Sequence, residues 1–418
     1  MFKNNKLNIK NTMTCFSEQR SREKDNERLS FLRLFLERRI ALETITFPTS
    51  LHVGKQVLDL LSRYNDQRIF IVTDPFMVQS NKIEQITKHF NTSNQLKLFS
   101  NVVPDPPIEN VISGIESMAA FNPTMLLAVG GGSPIDAAKA MKFFGEKLEK
   151  ISELNFIVIP TTSGTGSEVT NFSVITNQDK GVKYPLVTTD IQPDEAYLAS
   201  ELVISAPRHI TADTGMDVLT HALESYVSTK ATVFSDALCE KVVVLVFENL
   251  VRCYENGEDL HAREQMHYAS CMAGMAFNLT SLGLNHGIAH AAGAKLHLAH
   301  GRLNTLLLEE VIQFNAGCGT VSKEYDERTA NKYAYLAMLL GFEKTTGRVG
   351  VKQLVRAIER LKKQLGMPKT FKQAGIDEKN FNNSKDEIAE NALKDGCTMT
   401  NPRVPTKNDV LNILENIK

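Results

Sequence analysis

The chain has 418 residues, of which 42% are hydrophobic and 23% charged, and its 47 basic side chains nearly balance its 48 acidic ones. This composition is typical of soluble globular proteins, and the length predicts two domains. The balanced charge and the absence of an apolar run of roughly 18 residues lead us to expect no nucleic-acid and no membrane partner. Six scattered cysteines without a C-x-x-C pair favour a reducing, cytoplasmic location.

Residues 1–45 form a polar, densely charged N-terminal extension with one apolar stripe. Leu29, Leu32, Leu36 and Ile40 share one face of a predicted helix. Two interpretations remain open at this point. The helix either packs on this protein or a partner subunit, or it is a removable docking peptide.

Residues 46–205 alternate short apolar runs with helical stretches, which is the pattern of a parallel α/β domain. Such runs are QRIFIVTD at 67–74, TMLLAVGGG at 124–132 and NFIVIPTTSGTG at 155–166. Strand patterns then stop, and helices are predicted at 213–228, 235–254, 259–277, 280–297 and 305–315. The sequence therefore predicts an α/β fold, with a Rossmann-like parallel-sheet domain followed by an all-helical domain over 206–418.

A glycine-rich turn follows the second of these runs. The predicted strand ends at Val129, and Gly130–Gly132 let backbone amides approach a ligand closely. Ser133 is a natural N-cap and Pro134 suits a first helical turn, so this helix start favours a pyrophosphate. The third glycine of the dinucleotide fingerprint is replaced by Ile135, so a tight structural turn remains the alternative.

Two more features of this domain suit a dinucleotide. Thr161, Thr162 and Thr165 follow a predicted buried strand and can donate to a ribose or phosphate. A polar loop that caps its own backbone would have the same composition. Asp74, at the end of a strand, can bind the adenosine ribose and repel a 2′-phosphate, although such an Asp is also an ordinary turn residue.

The helical domain contains an unusual concentration of histidine. Asp217 and His221 are four residues apart, as are His286 and His290, and each pair lies on one face of a predicted helix. His300 follows in the turn-like segment AHG. An Asp with three His side chains gives mixed oxygen and nitrogen ligation, which suits Fe²⁺ or Zn²⁺. A structural Asp–His pair would have the same spacing.

Five segments resemble, in order and spacing, the iron-containing (group III) alcohol dehydrogenases, and the resemblance covers about residues 45–418. The segments are GGGSPIDAAKA, IPTTSGTGSEVTNFSVIT, KYPLVTTDIQPDEAYL, TGMDVLTHALESYVS and GLNHGIAHAAGAKLHLAHG. Within the family the chain is most similar to the ethanolamine- and propanediol-utilisation alcohol dehydrogenases, which share ASCMAGMAF at 269–277.

The resemblance implies a metal-dependent alcohol dehydrogenase or aldehyde reductase. Its cofactors would be NAD(H) and one divalent metal, Fe²⁺ with Zn²⁺ as the alternative. Its substrates would be short primary alcohols and aldehydes, either ethanol and acetaldehyde or 1-propanol and propanal. The alternatives are a related polyol dehydrogenase and a metal-dependent lyase or synthase on the same fold. The resemblance also implies a homodimer or larger homo-oligomer, and a location in a bacterial microcompartment with a shell protein as partner.

The resemblance also assigns site residues. The metal ligands are Asp217, His221, His286 and His300, and His290 is the histidine beside the substrate that relays a proton. Dinucleotide contacts fall on Gly131, Gly132, Ser133, Asp136, Thr161, Thr162, Thr165 and Lys183, and Asp74 sets the preference for NAD over NADP. His297 matches no ligand position. The chain departs from the family where AHG replaces PHG and where Pro104-Asp105-Pro106 replaces PNP.

Overall fold

The computed structural model describes residues 44–178, 182–204, 206–322 and 324–418. The chain divides into two compact units: the first runs to Thr161 and includes Ser167–Ala199, and the second comprises Thr162–Gly166 and Ser200–Lys418. The apolar stripe predicted at residues 29–40 lies outside the described residues.

The first unit contains a six-stranded sheet in the order β1-β8-β5-β4-β2-β3, and every neighbouring pair in it is parallel. The strands are β1 (Ser50–Val53), β2 (Arg68–Val72), β3 (Gln95–Phe99), β4 (Met125–Gly130), β5 (Asn155–Pro160) and β8 (Glu195–Leu198). All six residues of β4 are buried, as expected for an interior strand covered on both faces. The predicted parallel sheet is confirmed.

Two strands outside this sheet were not predicted. β6 (Phe172–Asn177) and β7 (Val182–Val187) form a separate antiparallel pair. The helices of the first unit are α1 (Pro75–Gln79), α2 (Lys82–Thr87), α3 (Ile108–Phe121) and α4 (Gly132–Lys147), with short 3₁₀ segments at Val57–Arg63, Ser167–Val169 and Thr189–Ile191. Residues from α3 and α4 pack with the sheet in one hydrophobic core.

In the second unit, the described residues form only helices and short 3₁₀ turns, which confirms the predicted all-helical half. The helices are α5 (Arg208–Val227), α6 (Val233–Glu255), α7 (Leu260–Thr280), α8 (Leu284–Leu296), α9 (His300–Ala316), α10 (Glu327–Leu339), α11 (Gly347–Gln364), α12 (Glu378–Lys394) and α13 (Lys407–Asn416). The 3₁₀ turns are Ser200–Leu202 and Thr398–Thr400. Within the described ranges, none of the helices combines the length and apolar character that a membrane span requires.

Helix α5 forms the centre of this unit, because it packs against α6, α7 and α9 and is buried along almost its whole length. Its neighbour α9 begins at His300, five residues before the predicted start at 305. The segment AHG predicts a turn, because glycine usually ends regular structure. Here Gly301 is helical, and a Cβ at this position would lie 2.1 Å from the carbonyl oxygen of Asp213 on α5. The glycine thus permits close contact between two helices.

Candidate functional site

The glycine-rich turn connects β4 to α4. Gly130 has φ 147°, a conformation that glycine adopts easily, and a Cβ there would lie 2.6 Å from Cγ of Pro134. The prediction that Ser133 is the N-cap is wrong, because Gly131 occupies that position and α4 starts at Gly132. No side chain of the described residues caps this helix. Its first N–H groups have no acceptor within the helix and are suited to an anion such as a pyrophosphate.

Asp74 lies against this turn. Strand β2 ends at Val72, and Asp74 is the N-cap of α1, where its Oδ1 accepts a hydrogen bond from Met77 N at 3.0 Å. Its Oδ2 is 3.3 Å from the position that a Cβ at Gly130 would take. The structure therefore brings Asp74 and the glycine turn together, with one carboxylate oxygen used by the cap and the other beside the turn.

Two charged residues of α4 hold the loop that follows β5. Asp136 accepts from Ser167 Oγ at 2.7 Å and from Val174 N at 2.9 Å. Lys139 Nζ donates to the carbonyl oxygens of Ser167 at 2.6 Å and Thr170 at 2.7 Å. Burial lowers the pKa of Lys139 to about 8 and raises the pKa of Asp136. Asp136, predicted to contact the dinucleotide, thus has both carboxylate oxygens engaged by the protein.

The threonines of this loop divide between the two units. Thr161 is buried, and its N–H donates to Gly130 O at 2.9 Å, which joins the loop to the glycine turn. Thr162 and Thr165 belong to the second unit. A backbone hydrogen bond therefore connects the glycine turn to Thr161, and both carry predicted dinucleotide contacts.

Lys183, on β7, lies beside the position where the chain departs from the family motif. Its Nζ pairs with Asp105 Oδ1 at 2.6 Å, and the two side chains are 38% and 64% exposed. An ion pair this exposed contributes at most about 1 kcal/mol. Lys183 can therefore leave Asp105 for a phosphate at small cost.

The predicted metal ligands come together from α5, α8 and α9. Asp217 and His221 lie one turn apart on α5, His286 lies in the first turn of α8, and the ligand atoms of these three residues are within 4.8 Å of one another. The Nε2 atoms of His286 and of His300 are each 3.7 Å from Asp217 Oδ1. Three of these side chains are buried, whereas His300 is 42% exposed. One cluster thus contains all four predicted ligands.

Ligand atoms of three of these four residues lie around one side-chain amide nitrogen. Nδ2 of Asn304 lies 2.6 Å from Asp217 Oδ1, 3.0 Å from His286 Nε2 and 3.1 Å from His300 Nε2. The amide orientation is set by Asn285, whose Nδ2 donates to Asn304 Oδ1 at 2.9 Å and to Asn304 O at 3.1 Å. One carboxylate and two imidazoles thus converge on a single point, which is the geometry that a cation requires, and together with His221 they form a donor set that fits Fe²⁺ or Zn²⁺.

The charges of the cluster also suit a divalent cation. Burial by itself raises the pKa of Asp217, but His221, His300 and His286 outweigh it and hold this pKa well below its usual range. Burial lowers the pKa of His221 to about 4, so this imidazole is neutral at pH 7, as a ligand must be. Burial also lowers the pKa of His286, but the carboxylates of Glu224 and Asp217 outweigh it and raise the pKa to about 9. A cation at Nε2 would take the place of that proton.

Glu224 supports His286 from the side opposite the cluster. Its Oε2 is 2.5 Å from His286 Nδ1, and its Oε1 accepts from Asn285 N at 2.6 Å, at the start of α8. Gly283 makes room for this contact, since a Cβ there would lie 2.8 Å from Glu224 Oε1. Because a carboxylate only accepts, the Nδ1–H tautomer is favoured and Nε2 is left for a metal. Sequence reasoning missed Glu224, although it lies one turn after His221 on the same helix.

His290 does not join the four ligands but lies beside them. Its ring stacks on that of His300, with centroids 5.3 Å apart and planes 12° apart. Its Nδ1 is 3.0 Å from Asp395 Oδ2, and the other oxygen of Asp395 accepts from Cys397 N at 2.8 Å. Burial raises the pKa of Asp395, but His290 outweighs it, and the pKa is lowered. Asp395 was also missed, because no local pattern links it to a histidine 105 positions away.

Comparison with known proteins covers both units. The iron-containing alcohol dehydrogenase family matches residues 48–200, and the C-terminal domain of the Fe-containing alcohol dehydrogenase family matches residues 211–418. A 1-propanol dehydrogenase, PduQ, of Citrobacter freundii is 41% identical over 379 residues, covering 90% of this chain and all of the relative. An NADPH-dependent butanol dehydrogenase of Clostridium saccharobutylicum is 38% identical, covering 88% of this chain and 96% of the relative.

A solved structure has the same fold. The crystal structure of a 1,3-propanediol oxidoreductase superposes with a TM-score of 0.81 at 28% identity, covering 90% of this chain and 100% of that one. The resemblance inferred from the motifs is confirmed, and with it the assignment as an oxidoreductase. The chain belongs to the iron-containing alcohol dehydrogenase family.

Proposed function

We propose that this enzyme transfers a hydride between NAD(H) and a short primary alcohol or aldehyde, ethanol and acetaldehyde or 1-propanol and propanal, at the site formed by Asp217, His221, His286 and His300. The observation that carries the proposal is the convergence of these carboxylate and imidazole atoms within a chain of this family. The similarity to 1-propanol and butanol dehydrogenases supports the substrate class.

A divalent cation held by these four residues would supply Lewis-acid stabilisation of negative charge on the substrate oxygen, and a bound nicotinamide would supply or accept the hydride. The protein holds the four ligands, and Glu224 keeps His286 in the tautomer that leaves Nε2 available. For the dinucleotide, we propose contacts with Gly131, Gly132, Ser133, Thr161, Thr162, Thr165 and Lys183, while Asp136 holds the second loop in place.

His290 moves the proton that the reaction requires. Asp395 only accepts, so Nδ1 of His290 carries a hydrogen and Nε2 is the atom that exchanges a proton with the substrate hydroxyl. In aldehyde reduction Nε2–H donates to the product oxygen, and in alcohol oxidation Nε2 accepts the hydroxyl proton. The side chain is 30% exposed, so it can exchange its proton with water.

The ligand set can be tested with a matched pair of histidine variants. His300→Ala should abolish both metal retention and NADH-dependent reduction of propanal in anaerobically purified protein. The control is His297→Asn, since His297 is the C-cap of α8 with φ 53° and asparagine tolerates this backbone conformation. It should retain metal and activity. If His300→Ala keeps stoichiometric metal and full activity, the proposed ligand set is wrong.

We further propose that Asp74 makes the enzyme prefer NAD(H), because a 2′-phosphate beside its carboxylate would be repelled. One of the named relatives is NADPH-dependent, so the preference needs its own test on this enzyme. Asp74→Asn removes the charge and keeps a good N-cap for α1, so it separates the two roles. The ratio of kcat/KM for NADPH to that for NADH should rise about fivefold, the equivalent of about 1 kcal/mol. Equal kcat/KM for both cofactors in the unmodified enzyme would contradict the proposal.

We propose, finally, that the enzyme is a homo-oligomer that enters a bacterial microcompartment and that residues 1–45 bind a shell protein. The similarity to propanediol-utilisation enzymes supports this. Deleting residues 1–40 should leave aldehyde reduction nearly intact but remove co-purification with shell proteins. Aggregation of the truncated protein on a sizing column, with a melting temperature lower by several degrees, would instead indicate that the extension packs on the enzyme itself.

A further inference from the structure

A second group of potential ligands lies beside the four-residue cluster. His290, Asp395 and Cys397 place one ring nitrogen, one carboxylate oxygen and one thiol sulfur within 4.8 Å of one another, and all three side chains are partly buried. Cys397 forms no disulfide. The four-residue cluster, in contrast, contains no sulfur.

The backbone around this group is held in place. Asp395 is the C-cap of α12, its N–H donates to Ala392 O at 3.3 Å, and its Oδ1 accepts from Cys397 N at 2.8 Å. Thr398 Oγ1 also donates to Ala392 O, at 2.7 Å. Helix α8 approaches this turn closely, since a Cβ at Gly287 would lie 2.0 Å from Thr398 Oγ1. Contacts within the protein therefore hold the backbone that carries Asp395 and Cys397 against α8, the helix that carries His290.

The chemistry of the three ligands selects a particular metal. One thiolate, one carboxylate and one neutral imidazole carry two negative charges, which a divalent cation neutralises. Thiolate ligation favours Zn²⁺ over Fe²⁺, both through its softness and through the general order of metal affinity. Binding releases the thiol proton and shifts the ring proton of the neutral His290 from Nδ1 to Nε2, which ends the hydrogen bond to Asp395.

We propose that His290, Asp395 and Cys397 form a second cation site, selective for Zn²⁺ over Fe²⁺, whose occupation inhibits the enzyme by withdrawing His290 from proton transfer. The inhibition rests on the role proposed above for His290, whereas the binding does not. The two parts therefore need separate measurements.

Binding is measured on the iron-loaded enzyme without turnover. Co²⁺, a spectroscopic substitute for Zn²⁺, should give thiolate charge-transfer absorption in the near ultraviolet, and Cys397→Ser should remove it. Cys318→Ser is the matched control, since Cys318 is partly buried and forms no disulfide but lies outside the group. In the unmodified enzyme, Zn²⁺ should slow alkylation of Cys397, followed by peptide mass spectrometry. This second measurement needs no variant. Absorption that persists in Cys397→Ser would overturn the proposed site.

Inhibition is measured as NADH-dependent propanal reduction at increasing Zn²⁺, with each variant compared with its own zinc-free rate and with iron content determined in parallel. Cys397→Ser should raise the half-inhibitory Zn²⁺ concentration at least about tenfold, as expected when a ligand is lost. Cys318→Ser should leave it unchanged. Loss of iron in step with activity would show replacement at the four-residue cluster and overturn the proposal. Binding at Cys397 without inhibition would refute the inhibitory role.

Discussion

Glu224 is the residue through which the structure most directly predicts metal affinity. Its two carboxylate oxygens accept from Asn285 N, His286 N and His286 Nδ1. Glutamine has only one acceptor oxygen. In Glu224→Gln, if that oxygen stays on Asn285 N, the amide NH₂ faces His286 Nδ1. This selects the tautomer of His286 with its hydrogen on Nε2, and a protonated Nε2 cannot bind a metal. If the oxygen turns to Nδ1 instead, the NH₂ faces the N–H of Asn285.

Both arrangements have a cost that can be estimated. Loss of the residue that orients a metal-binding histidine typically lowers metal affinity about 10- to 100-fold, or about 1.4 to 2.7 kcal/mol. A buried N–H left without an acceptor costs about 1 to 3 kcal/mol of folding stability. We therefore expect Glu224→Gln to weaken Fe²⁺ and Zn²⁺ binding by that factor and to lower the melting temperature as well.

The assay is anaerobic competition with a chromophoric chelator, which gives the metal Kd, together with thermal unfolding. Glu309→Gln is the control, because Glu309 is a carboxylate on α9 that is only 14% exposed and is paired with Lys362 Nζ at 2.7 Å. It should lose stability without a change in metal Kd. If the metal Kd of Glu224→Gln stays within about twofold of that of the unmodified enzyme, Glu224 does not orient His286 for the metal.

Three further predictions follow from single contacts. Asp395→Asn should lower kcat at least about tenfold with metal content unchanged, because the amide can donate to His290 Nδ1 and select the wrong tautomer. Gly301→Ala should lose metal and about 1 to 3 kcal/mol of stability, because the new Cβ would lie 2.1 Å from Asp213 O and displace the start of α9. Burial raises the pKa of Glu168 from 4.5 to about 7, so the native state holds its proton longer than the unfolded state. The free energy of unfolding should therefore decrease as the pH rises from about 4.5 to about 7, by up to about 3 kcal/mol. Glu168→Gln should flatten this slope.

Each of these predictions has a clear contrary result. An unchanged kcat in Asp395→Asn would show that His290 needs no positioning. Full metal content and an unchanged melting temperature in Gly301→Ala would show that α9 tolerates the displacement. Equal pH slopes for Glu168→Gln and the unmodified enzyme, measured by urea unfolding across the same window, would assign the slope to other groups.

Local patterns in the sequence were sufficient for the architecture and for part of the site. The apolar runs of β4 and β5 predict strands buried on both faces, which parallel sheets require. The spacing of Asp217 and His221 predicts two ligands on one helical face, because a helix repeats every 3.6 residues. These features are visible in the sequence because each depends on residues only a few positions apart.

The supporting contacts of the site were decided by tertiary structure alone. Glu224 contacts His286 across 62 residues of sequence, and Asp395 contacts His290 across 105. No local sequence pattern can therefore predict either pair. The same is true of Gly301, which the sequence suggests as a turn residue but which in the fold allows α9 to contact the backbone of α5. Such contacts depend on how whole helices pack, and packing distances are set by side chains from distant parts of the chain acting together.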